Sequence, residues 1–215
     1  MHTSNHTITG LPIDEAKKVL IMLHGRGGTA SSILQLTSLL HLYDFHIIAP
    51  QATNRTWYPY SFLASKTQNE PFLSSAIENI HKTIDDLIDN GFSSTQIYLL
   101  GFSQGACLAL ESTAQKAQKY GGVIAFTGGL IGEKVDLTSY SGNFYQTPIF
   151  IGSGNPDAHV PVERVYESDK ILSQLGATVT TQIYPGIPHT IIEEELEWVN
   201  NNIFSMVAPR KPYID

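Results

Sequence analysis

Short runs of apolar residues recur along the chain and end in polar or glycine-rich turns. Each run is almost continuously apolar and too short for a buried helix, so it predicts an interior strand of a parallel sheet. The runs occupy residues 19–23, 45–50, 97–100, 122–126 and 148–152, and a β-branched segment at residues 178–184 predicts a further strand.

Between the strands, apolar residues recur at the spacing of amphipathic helices. The clearest case is residues 74–90, where the apolar side chains share one helical face and Gly91 follows as the stop. Helices are also predicted at residues 32–42, from 104 to about 120, and at 162–175 and 191–204.

This alternation predicts a single-domain α/β fold, in which helices cover both faces of a mostly parallel central sheet. The domain is predicted to span residues 11–207. Residues 1–10 are expected to form a loose lead-in or an edge strand, and residues 208–215 a flexible tail. Ligands bind such sheets at the carboxyl ends of the strands, where the turns discussed below are placed.

Composition narrows the class of protein. A chain of 215 residues with 42% apolar and 15% charged residues is globular and fits one domain. The net charge of -7 and the scattered basic residues predict no nucleic-acid partner and no stable membrane association. The single cysteine cannot form an intramolecular disulfide, and the N-terminus does not resemble a signal peptide, so a cytoplasmic location is predicted. A homodimer is left open.

The segment at residues 97–106 has the order strand, Gly-x-Ser-x-Gly, helix, which is typical of a nucleophile elbow. A serine at the apex of so tight a turn is strained, and neighbouring backbone crowds it. Gly101 and Gly105 lack the Cβ atoms that would clash there, so Ser103 is predicted to be an exposed nucleophile.

A serine hydroxyl needs a base to take its proton, and the base needs an acid to orient it. His189 follows the last predicted strand on its own loop and is the predicted base. His159 is the weaker alternative, because it lies only two residues from the predicted acid, Asp157. The other acidic candidates lie in an irregular stretch, inside a predicted helix, or in a solvated first helical turn: Asp136, Asp169 and residues 193–195.

The glycine-rich turn at residues 24–28 follows the first predicted parallel strand. It matches neither phosphate-binding pattern, since it lacks Gly-Lys-Ser/Thr and Ala30 replaces the last glycine of the dinucleotide motif. The turn instead suits an oxyanion hole, with the backbone N–H groups of Arg26 and Gln104 as donors. The Arg26 side chain is expected either to contact an anionic substrate group or to face solvent.

The long segment at residues 51–70 clusters Trp57, Tyr58, Tyr60 and Phe62. A loop of this length in a compact domain is usually functional, so it is predicted to form a pocket wall, with a satellite core as the alternative. The predicted substrate-contacting residues are His24, Gly25, Trp57, Tyr58, Phe62 and Val160.

Four blocks of the chain together resemble the phospholipase/carboxylesterase family of α/β-hydrolases, which includes the acyl-protein thioesterases. They are Leu23-His24-Gly25-Arg26-Gly27-Gly28, Gly101-Phe102-Ser103-Gln104-Gly105, Asn155-Pro156-Asp157-Ala158-His159-Val160-Pro161 and Pro185-Gly186-Ile187-Pro188-His189. The resemblance implies an α/β-hydrolase fold without a large lid domain. It also implies Ser103, Asp157 and His189 as the triad and Arg26 and Gln104 as the oxyanion donors.

Within that family, residues 57–62 are more similar to a bacterial carboxylesterase branch than to the eukaryotic thioesterases. Arg26 replaces an apolar residue common in the thioesterases, and Ala106 stands where a third glycine is frequent. Both departures argue against an acyl-protein substrate and leave the chemistry untouched.

The predicted function is therefore a serine carboxylesterase acting on short- to medium-chain acyl esters, or on thioesters. The enzyme alternatives are a dienelactone-hydrolase-like activity, which usually employs a cysteine and would draw attention to Cys107, and a (lyso)phospholipase or acyl-protein thioesterase. A catalytically silent binding module is the alternative from another class. No metal or cofactor is predicted.

Overall fold

A computed structural model describes residues 1–204 as one α/β domain around a seven-stranded sheet. The strand order is β1-β3-β2-β4-β5-β6-β7, and every pair is parallel except β1 with β3. This confirms the predicted fold class. The strands are β1 His6–Gly10, β2 Lys18–Leu23, β3 Phe45–Pro50, β4 Ile97–Phe102, β5 Gly122–Phe126, β6 Pro148–Asn155 and β7 Thr178–Pro185.

Helices cover both faces of the sheet, as predicted. They are α1 Ala30–Ile33, α2 Lys66–Asn69, α3 Phe72–Asp89, α4 Gln104–Gln115, α5 Val162–Gln174 and α6 Glu193–Asn202. Short 3₁₀ segments occupy Leu34–Leu39, Thr53–Arg55, Ser94–Gln96 and Leu137–Ser139.

The interior strands supply two hydrophobic cores because successive side chains point to opposite faces. In β2, Val19 and Ile21 pack in the core beneath α3, α4 and α5, whereas Leu20 and Met22 pack in the core beneath α1 and α6. Both faces of the interior strands are therefore buried, which explains why their sequences are continuously apolar.

Two predicted helices are shorter in the structure. The single helix expected at residues 32–42 is the short α1, capped by Thr29, followed by a 3₁₀ segment. In that segment Thr37 Oγ1 donates to the Leu34 carbonyl at 2.7 Å and Ser38 Oγ donates to the Gln35 carbonyl at 3.0 Å. These hydroxyls compete for the carbonyls that a continued α-helix would use.

The helix expected from residue 104 to about 120 ends at Gln115. Beyond it, Ala117 N donates to the Ser141 carbonyl at 3.2 Å and Tyr120 N donates to Thr147 Oγ1 at 2.9 Å. Long-range partners therefore replace the helical hydrogen bonds of this segment.

Of the two alternatives for residues 1–10, the structure has the edge strand, since β1 pairs along β3. The tail predicted at residues 208–215 lies outside the described residues. Among the helices within residues 1–204, none is long and apolar enough to cross a membrane.

Candidate active site

Ser103 stands between the end of β4 and the start of α4 with φ 55° and ψ -119°. A non-glycine residue with positive φ is strained, as expected at a nucleophile elbow. A Cβ on Gly101 would collide with the Gly105 carbonyl oxygen, and a Cβ on Gly105 would collide with the Leu23 carbonyl oxygen. The two glycines are therefore required by close backbone approach.

The structure brings Ser103, His189 and Asp157 into one hydrogen-bonded chain. Ser103 Oγ lies 2.8 Å from His189 Nε2, and His189 Nδ1 lies 2.8 Å from Asp157 Oδ2. The three side chains come from turns that follow β4, β7 and β6, so they meet at the carboxyl edge of the sheet. This is the geometry of a nucleophile, a base and an orienting acid.

His159 takes a different position from the one that a base requires. Its ring packs edge-on against His189, with centroids 4.9 Å apart and planes at 77°. Its backbone N–H donates to Asp157 Oδ1 at 2.7 Å. His159 thus contributes to the surroundings of the other two residues, without a hydrogen bond from its ring to Ser103.

The Asp157 carboxylate is closed to solvent. Burial alone would raise its pKa, but donors outweigh that effect and the pKa is lowered from its usual value. The donors are the backbone N–H groups of His159 and Val160 and the imidazole of His189. An ionised Asp157 favours the tautomer in which His189 Nδ1 carries the proton, which leaves Nε2 free to accept from Ser103 Oγ–H.

The two predicted oxyanion donors are available for a ligand. Within residues 1–204, neither the Arg26 N–H nor the Gln104 N–H donates a hydrogen bond to the protein. Gly25 brings the two segments together: a Cβ there would lie 3.1 Å from Phe102 Cδ1 and 3.3 Å from Ser103 Cβ. A larger residue would push the loop away from the elbow.

An open cavity of about 760 Å³ surrounds the Ser103 hydroxyl. One part of its lining is residues 58–63 together with Gly25 and Arg26, and another is residues 158–161 together with His189. Cys107 lies on the helix below, one turn after Ser103. The space is of the size that proteins use for small-molecule ligands.

Of the predicted substrate-contacting residues, Gly25, Tyr58, Phe62 and Val160 line this cavity. Tyr60, which was in the same aromatic cluster, also lines it and is 58% exposed.

His24 and Trp57 do not line the cavity, so the prediction of substrate contact needs correction for both. His24 is buried, and its Nε2 accepts from Ala52 N at 3.1 Å while its Nδ1 pairs with the Gly25 carbonyl at 2.8 Å. Trp57 is fully buried and its Nε1 donates to the His24 carbonyl at 2.8 Å. Both side chains hold the turn at residues 24–28 against residues 51–57.

Two side chains have contacts that the sequence analysis missed. The Gln104 amide accepts from Trp57 N at 2.9 Å and donates to the Tyr58 carbonyl at 2.8 Å. The Arg26 guanidinium donates to the Pro59 carbonyl at 2.9 Å and to the Tyr60 carbonyl at 2.6 Å. The two residues predicted to supply the oxyanion N–H groups therefore also hold residues 57–60 in place.

Cys107 is buried, and burial raises the pKa of its thiol to about 12. A thiol with so high a pKa remains protonated at neutral pH and is a poor nucleophile. The structure thus favours a packing role for Cys107.

The prediction that residues 193–195 form a solvated first helical turn is wrong for Glu195. Glu193 and Glu194 are exposed, but Glu195 is only 1% exposed. Its Oε2 accepts from Ile192 N at 2.9 Å, and its Oε1 has no hydrogen-bond partner among residues 1–204. The carboxyl fits over Gly152, where a Cβ would collide with Oε1. Burial raises the pKa of Glu195 to about 7.

This raised pKa predicts a stability that depends on pH. A carboxyl with a folded-state pKa above its unfolded value stabilises the fold fully below the unfolded pKa, and the contribution is lost as pH rises through about 7. The free energy of unfolding of the wild type, relative to Glu195→Gln, is expected to fall by about 2–3 kcal/mol between pH 5 and pH 9.

Urea denaturation of both proteins across this pH range measures the difference. Glu193→Gln, on an exposed residue of the same helical turn, is the matched control and is expected to follow the wild type. A constant offset between wild type and Glu195→Gln would contradict the ionisation of Glu195 in the folded protein.

The chain is similar over most of its length to known ester hydrolases. A family model described as Phospholipase/Carboxylesterase matches residues 5–206. A probable carboxylesterase SOBER1-like protein of Arabidopsis thaliana is 27% identical over 203 residues, covering 86% of this chain and 78% of that protein. Acyl-protein thioesterase 1 of Saccharomyces cerevisiae is 29% identical over 209 residues, covering 86% and 91% respectively.

A solved structure is also similar at the level of sequence. The crystal structure of a phospholipase/carboxylesterase from Dyadobacter fermentans is 51% identical with a TM-score of 0.93. The match covers 95% of this chain and 98% of that chain, so the two share the whole fold.

Proposed function

The chain belongs to the phospholipase/carboxylesterase family of α/β-hydrolases and is a serine ester hydrolase; from this premise we propose that it is a carboxylesterase for short- to medium-chain acyl esters, with Ser103, His189 and Asp157 as its triad. The observation that carries the assignment is the unbroken chain of two 2.8 Å hydrogen bonds from Ser103 through His189 to Asp157. Ser103, at one end of this hydrogen-bonded chain, lines a cavity of about 760 Å³ that can hold a small ester.

In the proposed mechanism, Ser103 Oγ attacks the ester carbonyl and His189 Nε2 takes the hydroxyl proton. Asp157 holds the resulting imidazolium in place through Nδ1–H. The N–H groups of Arg26 and Gln104 donate to the carbonyl oxygen as it becomes negatively charged, assisted by the N-terminus of α4. His189 then returns the proton to the leaving alcohol.

Deacylation repeats these steps with water as the nucleophile. His189 removes a proton from water, water attacks the acyl-enzyme, and Ser103 Oγ recovers its proton as the acid is released. The chain's own residues supply every proton transfer, which supports a reaction without a metal or cofactor. The substrate would be a small ester held by Tyr58, Phe62 and Val160.

The test is a series of 4-nitrophenyl esters from acetyl to palmitoyl, assayed with wild type and Ser103→Ala. We expect rates that depend on Ser103 and are highest for short or medium acyl chains, because the acyl and alcohol parts of the ester share one cavity of about 760 Å³. A palmitoyl optimum would contradict the chain-length proposal and favour a lipase or thioesterase. A folded wild type without activity on any ester would favour a lactone-specific enzyme or a binding module.

Thioester hydrolysis is the second candidate. It is supported by the yeast relative named acyl-protein thioesterase 1, which aligns over 86% of this chain. The test compares kcat/KM for butanoyl thioesters and butanoyl esters whose leaving groups have matched acidity. The larger value identifies the preferred substrate class. The buried thiol of Cys107 gives no comparable support to a cysteine-dependent dienelactone-hydrolase-like activity.

We place the proposed enzyme in the cytoplasm, where its single, buried cysteine would stay reduced.

A further inference from the structure

The cavity carries positive but no negative formal charge. Among the described residues that line it, none is Asp or Glu, and the charged side chain is Arg26. The lining also includes the imidazoles of His159 and His189, which carry no negative charge. The Asp157 carboxylate is hydrogen-bonded to His189, but its side chain is closed to solvent and does not line the cavity. The formal charge that faces a ligand in the cavity is therefore opposite in sign to the net charge of -7 of the whole chain.

Arg26 is fixed at the rim of this cavity. Its guanidinium donates to the carbonyls of Pro59 and Tyr60 at 2.9 and 2.6 Å, and Tyr60 is itself 58% exposed. Two neutral carbonyls orient the guanidinium but leave its positive charge uncompensated. A group held in this way loses little side-chain entropy when it binds a ligand.

No carboxylate within residues 1–204 pairs with Arg26. Within residues 1–204, five of the eleven Lys and Arg side chains form an ion pair with a carboxylate: Lys18, Lys66, Lys82, Lys116 and Arg164. Of the six others, Arg26 is the one that lines the cavity. A guanidinium has five N–H donors, and the two carbonyls use one each on Nη1 and Nη2. Three donors therefore remain in a planar group suited to a carboxylate.

From this arrangement we propose that the natural substrate carries a carboxylate on its acyl group, bound by Arg26 at the rim. The substrate class is then the monoesters of dicarboxylic acids. Hydrolysis adds water across the acyl C–O bond of the monoanionic ester and yields a dicarboxylate, a neutral alcohol and one proton released to solvent. The inference rests on the proposed ester hydrolase function and specifies its substrate.

The proton transfers decide which side of the cavity the acyl group occupies. The leaving alcohol must receive its proton from His189 Nε2, so it lies beside residues 158–161. The acyl group then extends along the other wall, which is formed by residues 58–63 and Arg26. A carboxylate at its far end reaches the rim and stays partly hydrated, so its burial costs little.

The test compares 4-nitrophenyl hydrogen adipate with methyl 4-nitrophenyl adipate, which has the same acyl chain with its charge masked. We expect the wild-type kcat/KM to be about tenfold higher for the anionic ester, as for one charge-assisted hydrogen-bond pair at a partly exposed site. Arg26→Met is expected to remove this preference, and Arg26→Lys to keep part of it because the charge remains.

The ratio of the two rates is the measured quantity, so a general loss of activity from a disturbed cavity wall cancels. Equal ratios in wild type and Arg26→Met, or a wild-type preference for the neutral ester, would overturn the inference. Should Arg26→Met fail to fold, the wild-type ratio and the Arg26→Lys ratio still decide.

A failure of the proposed function would give a different result. In that case neither ester would be hydrolysed in a manner that depends on Ser103. Equilibrium binding of the same two esters to Ser103→Ala then tests the role of Arg26 without turnover, with tighter binding of the anionic ester expected and equal binding contradicting it.

Discussion

Ser103→Ala is expected to lower kcat for ester hydrolysis by roughly 10⁴- to 10⁶-fold while the protein stays folded. The substitution removes the proposed nucleophile, Ser103 Oγ, which lies 2.8 Å from His189 Nε2. Binding and the oxyanion donors would remain and account for the residual rate. Initial rates on the best ester of the acyl series measure the loss.

Two controls make the result specific to the nucleophile. Circular dichroism and thermal unfolding of Ser103→Ala should resemble those of the wild type. The lost hydroxyl lines an open cavity, so its removal leaves no gap in the packed core. Cys107→Ala should still hydrolyse esters in a reaction that depends on Ser103, because the Cys107 thiol is protonated and buried. A Cys107→Ala protein that is inactive, beside an active Ser103→Ala protein, would make the cysteine the nucleophile.

His189→Ala is expected to reduce kcat by roughly 10³- to 10⁶-fold, since serine without a base is a poor nucleophile. The imidazole contacts both Ser103 and Asp157, at 2.8 Å each, so its removal breaks the chain at both hydrogen bonds. Stopped assays with high enzyme concentration can measure rates this low.

His159→Ala is the matched comparison, because both histidines follow Asp157 in the chain and both line the cavity. Its ring packs T-shaped against the ring of His189 and, within residues 1–204, has no hydrogen bond to Ser103, so its loss should cost far less on neutral esters than the loss of His189. Full ester hydrolysis by His189→Ala, with a large loss in His159→Ala, would transfer the role of base to His159.

Much of this site could be predicted because its signals are local. The elbow depends on Gly101 and Gly105, whose missing Cβ atoms permit backbone contacts within one strand–turn–helix unit. The positions of Asp157 and His189 followed from a rule of topology, since parallel strands bring their carboxyl ends to one edge. The structure places both beside Ser103, and their catalytic roles remain predictions for the two substitutions above.

The remaining features depend on how residues 51–63 fold back over the elbow. Trp57 and His24 suit a pocket wall by residue type, yet their hydrogen bonds to backbone turn them away from the cavity. Arg26 could equally well face solvent in an isolated loop, and the carbonyls of Pro59 and Tyr60 hold it at the rim. No period or motif in the chain indicates these pairings.

Sequence by itself determined the order of the parallel strands and of the longer helices, the elbow, and the family to which four blocks of the chain point. These features follow from side-chain period, turn sterics and short motifs, which act over a few residues. Tertiary structure alone decided which polar groups are buried. Glu195 belongs to an acidic first helical turn of the kind that usually faces solvent. It is buried because Gly152, on a strand remote in sequence, leaves room for its carboxyl. Burial depends on what packs opposite a residue, and that partner lies far away in the chain.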